Sequence, residues 1–173
     1  ECEEEATYRY PPGFSWDKDN HRGDAYLEYA GGANVVEVAV DPITCAVEVT
    51  GVWAAFDVGT PVDDRLIAGQ VQGGMAQGLG YAAMEALETR NGRPLQCSLT
   101  DYILPTCLDL PPVTYRLLEA ESPAGPFGAR GMGELTLVGA APALAAAVED
   151  ALGRPVTRLP VTPEYLLELV GHD

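Results

Sequence analysis

The stretch GPFGARGMGEL (residues 125–135) surrounds one carboxylate, Glu134, with four glycines, and its only other charge is Arg130. A carboxylate suits general-base chemistry when the chain holds it within about 3 Å of the proton it removes. Glycine at 128, 131 and 133 lets a backbone pass close to a bulky body without Cβ clashes. Burial would raise the carboxylate's pKa and a neighbouring arginine would lower it, and the sequence leaves that balance open. Loop carboxylates are ordinarily just solvated charge, so the stretch needs support from the rest of the chain.

A second concentration of unusual residues lies in VDDRLIAGQVQGGMAQGLGYAAMEALE. Ile67, Val71, Met75 and Leu79 recur every four residues, the spacing of one helix face. Asp63 or Asp64 is placed to cap the start, and the helix is expected to run to about Glu88, before the turn at Asn91-Gly92. Gly69, Gly73, Gly74, Gly78 and Gly80 all fall inside it. Each costs up to about 1 kcal/mol relative to alanine, which only close approach by a backbone, a helix or a ligand offsets. Gln70 and Gln77 share a face with Gly73 and Gly74 between them, so a smooth groove bearing amides is expected. Such a groove serves either a ligand or tight packing on a sheet.

Other elements must position these residues. Residues 1–32 read as an irregular, aromatic-dotted arm, either packed on something or a free acidic tail. ANVVEVAV and AVEVTGVWAAF alternate with period two around Asp41-Pro42-Ile43-Thr44-Cys45, a hairpin whose turn puts Cys45 where a glycine would be comfortable. A strand is expected at 115–120 beyond Pro111-Pro112, a helix in GAAPALAAAVEDALG with Pro142 early and Gly153 past its end, a short strand at PVTRLP, and a last helix from Thr162-Pro163-Glu164 through Val170. The sum is an α+β fold, an antiparallel or mixed sheet with helices packed on one side. The body is expected to span residues 33–173.

Composition narrows the function. The chain has 173 residues, 47% of them hydrophobic, with 26 acidic against 10 basic residues and a net charge of -16. Such a surface repels phosphate backbones, so nucleic-acid binding is not expected, nor is binding to anionic membranes. No run of about 18 apolar residues stands out as a span. Cys2, Cys45, Cys97 and Cys107 have no metal or redox spacing, and free structural thiols in the cytoplasm are the expectation. His21 and His172 form no ligand cluster. The first residue is Glu1, so a trimmed product or a piece of a longer polypeptide is expected.

GQVQGGMAQGLGYAAMEAL, DYILPTCLDLP, GPFGARGMGEL, VGAAPALAAAVEDALG and LPVTPEYLLEL follow one another in this order. Together with EVAVDP and AFDVGTPVD they resemble the C-terminal part of the molybdopterin-binding subunit of the xanthine dehydrogenase and aldehyde oxidase family, over roughly residues 30–170. The resemblance implies a molybdenum-molybdopterin centre that hydroxylates an electron-poor carbon of a small molecule, with water as oxygen source. It implies Glu134 as general base and Gln70, beside Gly73, Gly74, Gly131 and Gly133, as cofactor-facing. Arg130 and Phe127 are either substrate-facing or structural, and Asp101 and Tyr102 architectural. Family subunits are several times longer, so the remaining molybdenum-subunit segment would share the cofactor, and iron–sulfur and FAD centres would lie on partner domains or subunits. The alternatives are a non-catalytic assembly module of the same fold and a small unrelated enzyme using Glu134 with a metal.

Overall fold

The computed structural model describes residues 2–171. In chain order the elements are strands β1 (Trp16–Asp17), β2 (Arg22–Gly23), β3 (Gly32–Val40) and β4 (Val47–Asp57), helix α1 (Asp64–Ala83), strands β5 (Thr89–Arg90), β6 (Arg93–Pro94) and β7 (Val113–Leu118), a 3-10 turn at Pro126–Gly128, and helices α2 (Leu135–Val138), α3 (Ala140–Leu152) and α4 (Pro163–Val170). The expected α+β class holds. The principal sheet has three strands in the order β3-β4-β7, and it is mixed: β3 runs antiparallel to β4, and β7 parallel to it. A parallel neighbour needs a crossover, and α1 lies within the segment that returns the chain from β4 to β7.

Alternation decides which sheet face is covered. Val36, Val52, Ala54 and Phe56 point inward and are buried, whereas Val35 and Trp53, opposite each other in register, stay exposed. Helix α3 lies against β3 and α1 against α3, so Val71, Met75, Leu79, Leu144 and Val148 complete one core with the sheet. Burying side chains of this size is worth about 1.5–3 kcal/mol each. The hairpin turn is held by the Asp41 carboxylate, which accepts the amides of Ile43 and Thr44 at 2.8 Å. These donors, that of Thr44 foremost, keep the Asp41 carboxyl below the usual range. Cys45 itself adopts the left-handed conformation, φ 55°, with its side chain buried.

The fold shifts several expected boundaries. Helix α1 stops at Ala83 rather than near Glu88, because the Gly80 carbonyl accepts the amides of both Met84 and Glu85 at 2.9 Å and the ladder closes there. The third strand begins at Val113, directly after Pro112, and ends at Leu118. PVTRLP is not a strand. Pro155 and Pro160 have no N–H to donate, and the amides of Val156, Thr157 and Val161 go to the Glu149 carboxylate, the Tyr165 hydroxyl and the Ala82 carbonyl. Helices α3 and α4 end and begin as expected, α3 at Gly153 in the left-handed conformation and α4 capped by Thr162.

Residues Leu135–Leu152 have a mean hydropathy of 1.5 over 18 residues, long and apolar enough to cross a bilayer by length and composition. It is not an unbroken apolar run, because Pro142, Glu149 and Asp150 lie within it. In the fold this stretch is two helices meeting at Gly139, and Ala140, Ala141, Leu144 and Val148 of α3 are buried.

Candidate functional site

Where β4 ends, the chain runs alongside the glycine-rich stretch. Thr60 N–H donates to the Gly128 carbonyl at 2.9 Å, Arg130 N–H to Val58 at 2.8 Å, and Ser122 N–H to Gly128 at 3.0 Å. Gly59 is required here on two counts: its φ is +61°, and a Cβ would lie 2.2 Å from the Gly128 carbonyl oxygen. The Arg130 side chain is only 15% exposed. It pairs with Glu28, lies 3.5 Å from Asp57, and donates to the Tyr29 carbonyl at 3.1 Å and that of Ala120 at 3.4 Å. The guanidinium therefore ties the N-terminal arm, the end of β4 and the segment after β7 to the loop. Phe127, by contrast, is 93% exposed, and its backbone is left-handed, φ +56°, as is that of Gly128 at +81°.

Beyond Arg130 the side chains alternate. Met132 turns in and packs against the core, while Gly131 and Gly133 lie at the surface. Helix α1 grips the next residues twice. The Gln70 side-chain amide donates to the Gly133 carbonyl at 2.9 Å, and the Thr136 hydroxyl donates to the Gln70 carbonyl at 2.9 Å. Thr136 is fully buried. It sits where α1 offers no side chain, since a Cβ on Gly74 would lie 2.0 Å from the Thr136 Oγ1. Glu134 stands between these two anchors at the start of α2. It is exposed, and its side chain makes no capping hydrogen bond. The carboxylate is thus carried on a fixed backbone while its oxygens stay available.

The five glycines of α1 divide into two groups. Gly74, Gly78 and Gly80 are filled from within the chain, by Thr136, by Ala140 with the Leu137 carbonyl, and by Glu85 with Pro105. Gly69 and Gly73 face open space, and so does Gly131 in the loop. A Cβ on Gly133 would meet only the Gln70 amide nitrogen, at 3.9 Å. None of these four has a positive φ. Neither backbone conformation nor packing within this chain calls for glycine at 69, 73, 131 or 133.

Gln77, two turns beyond Gln70, does not join this surface. It lines a separate groove of about 650 Å³ with Gly78, Tyr81, Tyr102, Leu137 and Val138. Tyr102 donates to the Glu85 carboxylate at 2.6 Å, a bond that holds its phenol proton above the usual range, and Asp101 accepts from Ser98; both have architectural work. The cysteines form no disulfide: Cys45 is buried and Cys2, Cys97 and Cys107 are exposed. Among the described residues, no group of three or more His, Cys, Asp or Glu side chains is arranged to hold a metal ion. Thr136 and α2 were missed from the sequence. The available signal was a lone hydroxyl in the apolar run LTLV, directly after the glycine loop.

Comparison with known proteins identifies the family. The sequence model of the molybdopterin cofactor-binding domain family matches residues 1–111. This chain belongs to that family. The match includes Gln70, Gly73 and Gly74 and ends before the Glu134 loop. Among its relatives, the chain is 35% identical over 144 residues to the 6-hydroxypseudooxynicotine dehydrogenase complex subunit gamma of Paenarthrobacter nicotinovorans, covering 81% of this chain and 18% of that protein. It is 33% identical to the xanthine dehydrogenase molybdenum-binding subunit of Escherichia coli, covering 80% of this chain and 19% of the relative. The solved aldehyde oxidoreductase of Desulfovibrio gigas superposes with a TM-score of 0.82 at 31% identity, over 92% of this chain and 17% of that one. Quinoline 2-oxidoreductase of Pseudomonas putida 86 gives 0.78 at 34% identity, over 83% and 19%. The chain therefore spans less than a fifth of the length of these relatives.

The surface fits the cofactor class of this domain family. The Cβ-free positions 69, 73, 131 and 133 leave open backbone beside Gln70 and Glu134. The Gln70 amide uses one of its N–H groups on Gly133, which leaves a further donor and its carbonyl for a polar ring.

Proposed function

We propose that this chain is the catalytic C-terminal segment of a molybdenum hydroxylase, which introduces oxygen from water at an electron-poor carbon of an aldehyde, a purine or an N-heterocycle. One observation carries the reading: an exposed carboxylate without a capping partner, on a backbone bolted to α1, beside glycines that nothing inside the chain requires. Gln70, with the open backbone at Gly73, Gly131 and Gly133, would hold molybdenum-molybdopterin; Gly74, expected from the sequence to face the cofactor, is instead filled by Thr136. That group, when bound, supplies the redox centre that takes electrons from the substrate carbon. Glu134 acts as general base and receives on a carboxylate oxygen the proton released as water-derived oxygen becomes nucleophilic. Such proton transfer contributes about 10²–10⁴-fold to rate. Arg130 does not face substrate in this reading, because its donors are engaged by Glu28, Asp57, Tyr29 and Ala120.

The site is shared. The chain exposes 12205 Å² at 18.3 kDa, whereas a free-standing globular protein of that mass exposes about 8,100 Å². The excess on this chain alone is well above the roughly 800 Å² that each partner contributes to a standard interface, and it supports a remaining molybdenum-subunit segment packed against this one. Iron–sulfur and FAD centres on partner domains or subunits would carry the electrons away. Three exposed free thiols support a cytoplasmic setting.

In the complete molybdenum subunit, Glu134→Gln should lower kcat by at least about 10²-fold while molybdenum content by elemental analysis stays at the parent level. Undiminished turnover in that variant would leave the chain as an assembly module.

A further inference from the structure

We infer that Thr136 is a positioning residue for Glu134, acting through Gln70; the inference rests on Glu134 being the base. Helix α2 has four residues, one turn, and a single turn does not hold itself in water because nucleation is unfavourable. The direction in which its N-cap residue, Glu134, presents a side chain must come from tertiary bonds. Two such bonds bracket Glu134, one residue before it and two after, and both end on Gln70. The side-chain amide of Gln70 fixes the Gly133 carbonyl, and its main-chain carbonyl fixes the Thr136 hydroxyl. Because α1 is a 20-residue helix anchored in the core through Ile67, Val71, Met75 and Leu79, the pair transfers the rigidity of α1 to a loop that has little of its own. The fit is reciprocal: Thr136 is fully buried, and the missing side chain at Gly74 makes room for it.

A displacement of about 1 Å in a catalytic group costs on the order of 10²-fold in rate, so the Thr136 hydroxyl matters out of proportion to one hydrogen bond. The test uses the complete molybdenum subunit and three readouts: kcat against KM, the pH profile of kcat, and molybdenum content. Thr136→Val keeps the shape of the side chain and removes the donor. It should lower kcat by about 10–100-fold and displace the acid limb of the pH profile, with KM and metal content near the parent values. Thr136→Ser restores the donor and should recover most of kcat. Gly74→Ala reaches the same contact from the other side and should reproduce the Thr136→Val phenotype, which keeps the test decisive if the valine variant does not fold. Unchanged kcat and pH profile in either disruptive variant, or a serine variant as impaired as the valine one, would overturn the positioning role. Glu134→Gln measured alongside separates the two readings. Full turnover there removes the base itself, whereas an inactive Glu134→Gln beside an unaffected Thr136→Val removes only the positioning.

Discussion

Arginine 130 and Glu134 are four residues apart and have opposite fates. The arginine is drawn in and engaged by two carboxylates and two carbonyls, while the glutamate is left outside. A guanidinium suits the first task because its planar fork meets several acceptors at once. Arg130→Met should therefore destabilise the chain by about 2 kcal/mol, the scale of hydrogen bonds to a charged group. It should also release the N-terminal arm, seen as faster proteolysis before residue 32 and as a lower denaturation midpoint. Arg130→Lys should recover little, since one ammonium cannot span the same acceptors.

At the scale of elements, α1 carries two kinds of glycine that alanine substitution tells apart. Gly73 faces open space, so Gly73→Ala should stabilise this chain by up to about 1 kcal/mol in chemical denaturation. The same change in the complete enzyme should lower molybdenum retention, because the added methyl occupies surface proposed above for the cofactor. If both stability and metal content were unchanged, the open glycines would have no ligand to explain them. The helix start makes a pH prediction. The amides of Leu66 and Arg65 donate to Asp63 and hold its carboxyl below the ordinary value of 3.8. A depressed carboxylate stabilises the fold above its unfolded pKa, and that contribution is lost as pH falls through the lower, folded value. Asp63→Ala should lower the melting temperature at neutral pH and narrow its gap from the parent in strong acid. Asp63→Asn should keep much of the cap without that pH dependence.

For the whole molecule the decisive quantity is surface. Val35, Trp53, Leu66, Tyr81, Phe127 and Val138 are all exposed, as the proposed remaining molybdenum-subunit segment would require of the surface it covers. The isolated 173-residue chain should hold no stoichiometric molybdenum by elemental analysis. Stoichiometric metal in it would mean that these residues form a complete site.

Much of this was legible in the residues themselves. The period-two strands, the four-residue recurrence along α1, the caps of α3 and α4 and the glycine-flanked Glu134 are local patterns, and local sterics and hydrogen bonding decide them. The sequence alone also carried the family motifs. What it left open were contacts between residues far apart: Gln70 with Gly133 and Thr136, at separations of 63 and 66, and Arg130 with the Tyr29 carbonyl at 101. The sorting of α1 glycines into packed and open belongs with these. So does the failure of PVTRLP to pair as a strand, because its amides find acceptors on α3 and α4. Only the folded chain brings these partners together, since no short-range preference selects an acceptor sixty residues away; burial of the shared core does.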